Sequence, residues 1–206
     1  MKNMLKDAAI LFAITLIAGL CLGAVHFITE DPIRRSEEKA LNDSYREVFA
    51  QASSFEEMQG FANPAVSDAA KWESAGFGDV DINKALTAKD SSGNIIGYIL
   101  DVTTHAGYGG DIEFTMGITA DGVLNGISIL NIKETAGLGM RADEVLKPQF
   151  SSKAVQPFEV TKTGSTSDSQ IDAISGATIT SKAVTEAVNA GVYYYDSLTG
   201  GAGNEN

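Results

Sequence analysis

From Ala8 to Thr29 the chain carries no formal charge and is rich in Leu, Ile, Ala and Phe. At 1.5 Å rise per residue, a helix of that length crosses the ~30 Å hydrocarbon core of a bilayer. Lys2, Lys6 and the terminal amine precede it, and Glu30, Asp31 and Pro32 follow at once. Positive charge in the short N-terminal flank predicts a cytoplasmic N-terminus and an extracytoplasmic remainder, although Arg34 and Arg35 on the far side pull the other way. A cleaved signal has a shorter apolar core, roughly 7–15 residues, and a small-x-small cleavage site. Leu22-Gly23-Ala24 fits that poorly, and Leu20 stands where a small residue would precede a lipidated Cys21. The pattern therefore predicts a retained anchor over 8–29, behind a cytoplasmic tail of residues 1–7.

After Pro32, read as a helix stop, the period becomes that of an amphipathic helix. Leu41, Tyr45, Val48, Phe49, Ala52 and Phe55 recur among charges, which predicts a stalk helix from Ile33 to about Met58. Phe61 to Asp81 has no clear period and reads as a connector, so 30–82 is assigned to stalk and connector. Alternation then takes over. Ala85–Lys89 and Ile95–Thr104 flank the turn-forming Asp90-Ser91-Ser92-Gly93-Asn94, and Ile112–Thr119 and Val123–Asn131 flank Ala120-Asp121-Gly122. Two hairpins in succession predict an antiparallel sheet. Lys133 to Gly139 is too glycine-rich for a strand interior. Ala142–Phe150 reads as a short helix and Val155–Val160 as a strand. A longer helix runs from about Thr180 to Tyr195, with Val184, Ala187, Val188, Gly191, Val192 and Tyr195 on one face. Residues 200–206 read as a flexible C-terminus.

Composition narrows the chemistry. Against 15 basic side chains stand 27 acidic ones, a net charge of −12 that repels nucleic acid. The single cysteine, Cys21, lies inside the apolar run, so no intrachain disulfide, CxxC pair or thiolate metal site is expected. His26 and His105 are far apart and read as interface or surface histidines, so no metal site is expected. Neither a dinucleotide-binding glycine fingerprint nor an iron–sulfur motif is present, and hydrolase and phosphate-loop motifs are missing too. Gly19 and Gly23 fit a Gly-x-x-x-Gly spacing in the anchor, a packing face about as readily as a coincidence.

What remains is Asp172-Ala173-Ile174-Ser175-Gly176-Ala177-Thr178 at the start of the last long helix. Small residues let a ligand approach the backbone, three hydroxyls follow in Thr178, Thr180 and Ser181, and a helix N-terminus attracts an anion. Helix physics alone favours an ordinary hydroxyl N-cap over a phosphate site. Similarly, Lys133-Glu134-Thr135-Ala136-Gly137-Leu138-Gly139 alone reads as a connection, and Gly107-Tyr108-Gly109-Gly110 as a glycine turn.

The three segments, in this order behind an anchor and a stalk, resemble a known family of flavoproteins. The 172–178 string is similar to the Asp-x-x-(Ser/Thr)-Gly-Ala-Thr pattern of the G subunit of the Rnf electron-transport complex and the C subunit of the sodium-pumping NADH:quinone reductase. There FMN is joined through its phosphate to the last threonine. The 133–139 loop resembles their Lys-Glu-Thr-Pro-Gly-Leu-Gly segment, with Ala136 in place of proline, and the 107–110 turn resembles the Gly-Tyr-x-Gly of the Rnf G subunit. Length and that turn favour the Rnf protein of the two.

The resemblance implies an α+β fold: one N-terminal transmembrane helix, a stalk helix, and an antiparallel-sheet FMN-binding domain over 83–199 flanked by helices. It implies covalent FMN on Thr178, with Ser175, Gly176, Ala177, Thr180 and Ser181 around the phosphate. Glu134, Thr135, Gly137, Leu138, Gly139 and Tyr108 would lie about the ring. Asp172 would serve recognition by a flavin transferase during maturation. No residue is expected to be catalytic in its own right; the flavin carries the redox chemistry. The chain would relay electrons within an ion-translocating ferredoxin:NAD⁺ oxidoreductase, beside other membrane subunits of the Rnf complex, without itself binding NAD or ferredoxin. Its place would be the cytoplasmic membrane, single-pass, flavin domain outside. The C subunit of the quinone reductase, a free-standing anchored FMN reductase and a flavin-free anchored binding module are the alternatives.

Overall fold

The computed structural model describes residues 2–200. Met1 and residues 201–206, most of the expected flexible C-terminus, lie outside the described residues. The chain divides into two compact units, one ending at Asn42 and one beginning at Asp43.

The first unit is helix. Helix α1 runs Lys2–Val48 without interruption, with Pro32 inside it, so the expected stop at that residue does not occur. Proline withdraws the N–H that would reach the Ile28 carbonyl and crowds that carbonyl with its ring, which costs stability, but its fixed φ is itself helical. Arg34 braces the turn on either side of the gap, pairing with Asp31 at 2.7 Å and Glu38 at 3.3 Å. The apolar stretch is long enough to cross a membrane, and none of its most apolar window is buried.

The second unit takes in the last turn of α1. The predicted stalk helix is too long: α1 ends at Val48, and Phe55 lies in strand β1 (Ser54–Glu57) instead. The chain reverses after Phe49, and the Ser53 N–H reaches the Lys89 carbonyl at 2.7 Å, which starts a strand pairing. Phe55 still meets Tyr45, as the helical period suggested, but across a turn, with ring centroids 5.6 Å apart. Within the expected connector stand two short helices, α2 (Pro64–Ser67) and α3 (Ala69–Ser74), and β2 (Val80–Lys89) begins before its end. Trp72 of α3 is buried and donates to the Val80 carbonyl at 2.6 Å.

Both predicted hairpins are present. β2 pairs with β3 (Ile95–Thr104), and β4 (Ile112–Thr119) with β5 (Val123–Ile132). With β1 and β6 (Lys153–Ala154) they form a six-stranded antiparallel sheet in the order β1-β2-β3-β4-β5-β6. The region read as a short helix holds α4 (Ala142–Val145) and a 3₁₀ turn, Lys147–Phe150. The strand expected over 155–160 is shorter and later, β7 (Glu159–Thr161). It pairs in parallel with β8 (Gln170–Asp172) in a separate two-stranded sheet.

Helix α5 (Thr178–Thr199) lies on one face of the large sheet. Val184, Ala187, Val188 and Val192 pack with Leu100, Val102, Phe114, Met116 and Ile118 in the main core. The other face receives the end of α1: a Cβ on Gly117 would come within 3.0 Å of both Val48 and Phe49. Polar contacts hold this second seam together. Tyr45 donates to Asp101 Oδ2 at 2.6 Å, Thr115 donates to Asp101 Oδ1 at 2.8 Å, and Ser44 and Thr115 share a hydrogen bond of 3.0 Å. Asn125 Nδ2 donates to the Val48 carbonyl at 2.9 Å, and Ser128 donates to Glu47.

Candidate functional site

The first turn of α5 is shaped by the chain that enters it. After β8 the Ala173 N–H reaches the Thr161 carbonyl at 2.8 Å, and Ile174 plugs into the core. Ile174–Ala177 is then a tight turn, closed by the Ala177 N–H on the Ile174 carbonyl at 2.9 Å. Its third residue, Gly176, has φ +78°, the left-handed conformation that a turn of this kind reserves for glycine. A side chain there would also meet Leu138, 3.0 Å from the Cβ position.

Ala177 is the N-cap, and among the described residues no side chain caps this helix. An N-terminus without a cap leaves backbone N–H groups of the first turn free for a ligand and presents the positive end of the helix dipole. The hydroxyl of Ser181, one turn into the helix, is engaged behind the turn. Ser181 is fully buried; its Oγ donates to the Ala177 carbonyl and accepts the Ile174 N–H, both at 2.9 Å. Its place is therefore behind the turn, fastening it to the helix, and the phosphate contact expected of it has no free hydroxyl to make it.

In front of the turn lies a cavity of about 540 Å³ lined by Tyr108, Glu134, Thr135, Leu138, Gly139, Gly176, Ala177, Thr178, Ile179 and Thr180. The three segments singled out from sequence thus converge. Two contacts fix them to one another. Glu134 Oε1 accepts the Tyr108 N–H at 2.8 Å, which binds the 107–110 turn to the 133–139 loop. Gly139, buried, is where that loop meets α5: a Cβ there would fall 2.7 Å from both Glu134 Cβ and Thr180 Oγ1. Tyr108 (71% exposed), Ile179 (53%) and Leu138 (39%) leave apolar surface at the cavity, unusual for three neighbouring residues with nothing to cover them.

Ser175 and Gly137 do not line the cavity. Asp172 stands apart from it, its carboxylate accepting from Ser165 at 3.2 Å and its backbone held from both sides by Gln149, at 2.7 and 3.1 Å. Ile179 was not singled out from sequence; its signal is an apolar residue standing outside the buried stripe of α5. Gln149 gave no signal, because its partners are backbone atoms distant in the chain. Among the described residues, no Lys, Arg or His lines the cavity, so the positive element facing it is the helix terminus itself.

Comparison with known proteins agrees with this geometry. A family model described as the FMN-binding domain matches residues 107–192, which include every residue lining the cavity. A second, described as the RnfG N-terminal region, matches residues 1–48, the full extent of α1. The G subunit of the Na⁺-translocating ferredoxin:NAD⁺ oxidoreductase complex of Acetobacterium woodii is 32% identical over 200 residues, 96% of this chain and 94% of that one. The chain belongs to the G-subunit family of these ion-translocating oxidoreductase complexes. The proton-translocating counterpart of Clostridium ljungdahlii is 31% identical over 204 residues, covering 95% of this chain and 97% of its own. The ion-translocating oxidoreductase G subunit of Methanosarcina acetivorans is 28% identical over 201 residues, 97% and 98% of the two chains. A crystal structure of Shewanella oneidensis NqrC aligns with 58% of this chain and 60% of that one, at 18% identity and a TM-score of 0.48. Named for different ions, the Acetobacterium and Clostridium relatives place both Na⁺ and H⁺ within the G-subunit family.

Proposed function

We propose that this chain is the electron-relaying flavin subunit of a membrane-bound, ion-translocating ferredoxin:NAD⁺ oxidoreductase, carrying FMN as a phosphoester of the Thr178 hydroxyl. The observation that carries the reading is an uncapped α5 N-terminus opening, with Thr178 as its first residue, onto a cavity edged by exposed Tyr108, Leu138 and Ile179. Backbone N–H groups of the first turn and the Thr180 hydroxyl suit a phosphate that has lost one oxygen to an ester. Thr135 and the fixed Glu134 carboxylate offer polar partners for a ring edge, and the exposed apolar side chains offer it a face. Gly139 and Gly176 keep the three segments close enough to share one ligand.

Bound FMN supplies a centre that takes up and releases electrons singly or in pairs. The chain's own residues attach it, orient it and cover it. Thr178 is an anchor, with no part in turnover. A dedicated flavin transferase, with Asp172 in its recognition segment, makes the ester from a flavin dinucleotide, the Thr178 oxygen replacing the pyrophosphate bond as a nucleoside monophosphate leaves and the hydroxyl proton is released. An ester also retains the cofactor in a domain that faces the outside, where a dissociated flavin would be diluted away. Lys2 and Lys6 before the apolar stretch support an N-terminus inside and the domain outside. Other membrane subunits of the complex are its neighbours. With neither a dinucleotide fingerprint nor an iron–sulfur motif, the chain hands on electrons without binding NAD or ferredoxin itself. A cavity without cationic side chains favours relay over reduction of a free anionic substrate.

The test is a denaturing gel. Co-expressed with a flavin transferase, the chain is expected to run as a fluorescent band, and Thr178→Ala is expected to abolish the fluorescence entirely while the protein band persists. A colourless wild-type band, or a fluorescent Thr178→Ala band, ends the covalent reading. An alkaline phosphatase fused after residue 200 is active only if the domain is extracytoplasmic.

A further inference from the structure

His105 is the first residue after β3, and the turn that follows it leads through Tyr108 to Asp111. Its ring is held between two carboxylates: Nδ1 lies 2.9 Å from Asp111 Oδ1 and Nε2 lies 3.0 Å from Asp81 Oδ2. Asp81 belongs to β2 and is itself fixed by Asn63 Nδ2 at 3.2 Å, while the His105 backbone N–H is bound to the Asp79 carbonyl at 2.8 Å. A carboxylate only accepts hydrogen bonds, and a neutral imidazole has a single N–H. In the neutral ring one nitrogen lone pair would therefore face a carboxylate oxygen. Only the imidazolium satisfies both contacts.

We propose that His105 is a positioning residue: as an imidazolium between Asp81 and Asp111, it closes the base of the turn that sets Tyr108 against the flavin cavity. Contact between Tyr108 and the bound ring is then a function of pH. The geometry supports this at each link. The Thr104–Ile112 pair of the β3–β4 ladder joins the two ends of the turn, and the His105–Asp111 ion pair adds a second tie one residue further along, bracketing residues 106–110. The Ala106 N–H is satisfied locally by the Thr104 hydroxyl at 3.3 Å, and the tip meets the 133–139 loop through the Tyr108 N–H on Glu134 and through Gly109, where a Cβ would collide with the Lys133 carbonyl oxygen. Asp81 from β2 and Asp111 from the end of the turn are the charged groups facing the ring. The hydrogen bond to Asp81 first, then that to Asp111, raises the imidazole above its ordinary value of 6.5. The clamp is thus fully present below that ordinary value and is lost as pH rises through the higher, folded one.

The tyrosine–flavin half of the proposal rests on the reading of the cavity as a flavin site; the clamp itself does not. Two measurements on the full chain in detergent micelles keep them apart. The first is imidazole nitrogen NMR of histidine-labelled Thr178→Ala protein, which carries no ester-linked flavin. Both His105 nitrogens are expected to be protonated at pH 6.5, with a midpoint that falls in Asp111→Asn. A neutral tautomer at that pH, or a midpoint indifferent to Asp111→Asn, overturns the clamp.

The second is flavin emission of the flavin-carrying protein against pH, since a tyrosine close to the ring quenches it. A step upward at the His105 midpoint is expected, displaced to lower pH in Asp111→Asn and lost in Tyr108→Leu. No step, or one that survives Tyr108→Leu, overturns the positioning role. Failure of the gel test in the wild type would sink the flavin reading and leave the NMR result standing.

Discussion

The two faces of the central sheet are built on opposite principles. The face under α5 is apolar throughout: Leu100, Phe114 and Met116 are wholly buried against Val184, Ala187 and Val188. The face under the end of α1 buries Phe49 and Ile99 too, but at its centre sits an aspartate, Asp101, 8% exposed and bound by Tyr45 and Thr115. Apolar packing is non-directional and tolerates a helix that slides. A buried carboxylate with two fixed donors tolerates only one placement, since any slip leaves it unsatisfied. The first face thus supplies most of the stability. The second fixes where the end of α1 is seated on the domain.

Four substitutions test that division. The largest effect is expected on the α5 face: Phe114→Ala removes a fully buried ring and should cost about 3–5 kcal/mol in urea unfolding of the domain. Next comes Tyr45→Phe, which leaves Asp101 short of one donor and should cost about 1–3 kcal/mol. Its partner experiment is a pH series. Burial, more than any other influence, holds Asp101 above the ordinary carboxylate value, although Tyr45, Thr115 and Lys84 each pull it down. A raised folded value means a contribution that is complete below the unfolded value and is lost as pH rises through the folded one. Wild type should therefore lose stability relative to Asp101→Asn as pH rises through that range, and a constant difference would refute the assignment. The smallest effect is expected at the rim, where Lys84 pairs with the largely exposed Glu57. Lys84→Met should change stability by less than about 1 kcal/mol. A rim effect larger than that of Tyr45→Phe would reverse the comparison and make surface charge the force that seats the helix.

Much of this was legible in advance, for reasons that can be named. The hairpins were readable because alternation and turn chemistry are local: Asp121-Gly122 sits at a tip of β4–β5 as its composition demands. The apolar stretch of α1 and the buried stripe of α5 are likewise properties of consecutive residues. β1 was hidden because a four-residue strand carries too little pattern, and Phe55 kept the helical period of Tyr45 while belonging to another element. The continuity of α1 through Pro32 was hidden because proline lowers helix stability without forbidding the conformation. Parallel pairing of β7 with β8 joins segments whose short patterns say nothing about each other.

The cavity divides in the same way. Resemblance to known flavoproteins picked out Tyr108, Glu134, Thr135, Leu138, Gly139, Gly176, Ala177, Thr178 and Thr180, and the fold brings these nine to one cavity. Ser181 shows the limit. Sequence says that a hydroxyl stands one helical turn after Ala177, but not which way it turns. Its inward bonds to the Ala177 carbonyl and the Ile174 N–H fasten the turn to the helix and turn the hydroxyl away from the cavity. His105 is similar, an ordinary polar residue until two carboxylates from separate segments meet its ring.

By itself the sequence determined a long apolar helix, two hairpins, an amphipathic final helix and three small-residue segments with family-like chemistry. These depend on neighbours a few positions apart. Only the tertiary structure decided that those segments share one cavity, that α5 begins without a cap, and that Asp101 and His105 have the partners that define them. Each of these depends on which distant atoms satisfy a buried or directional polar group, and no local pattern encodes that.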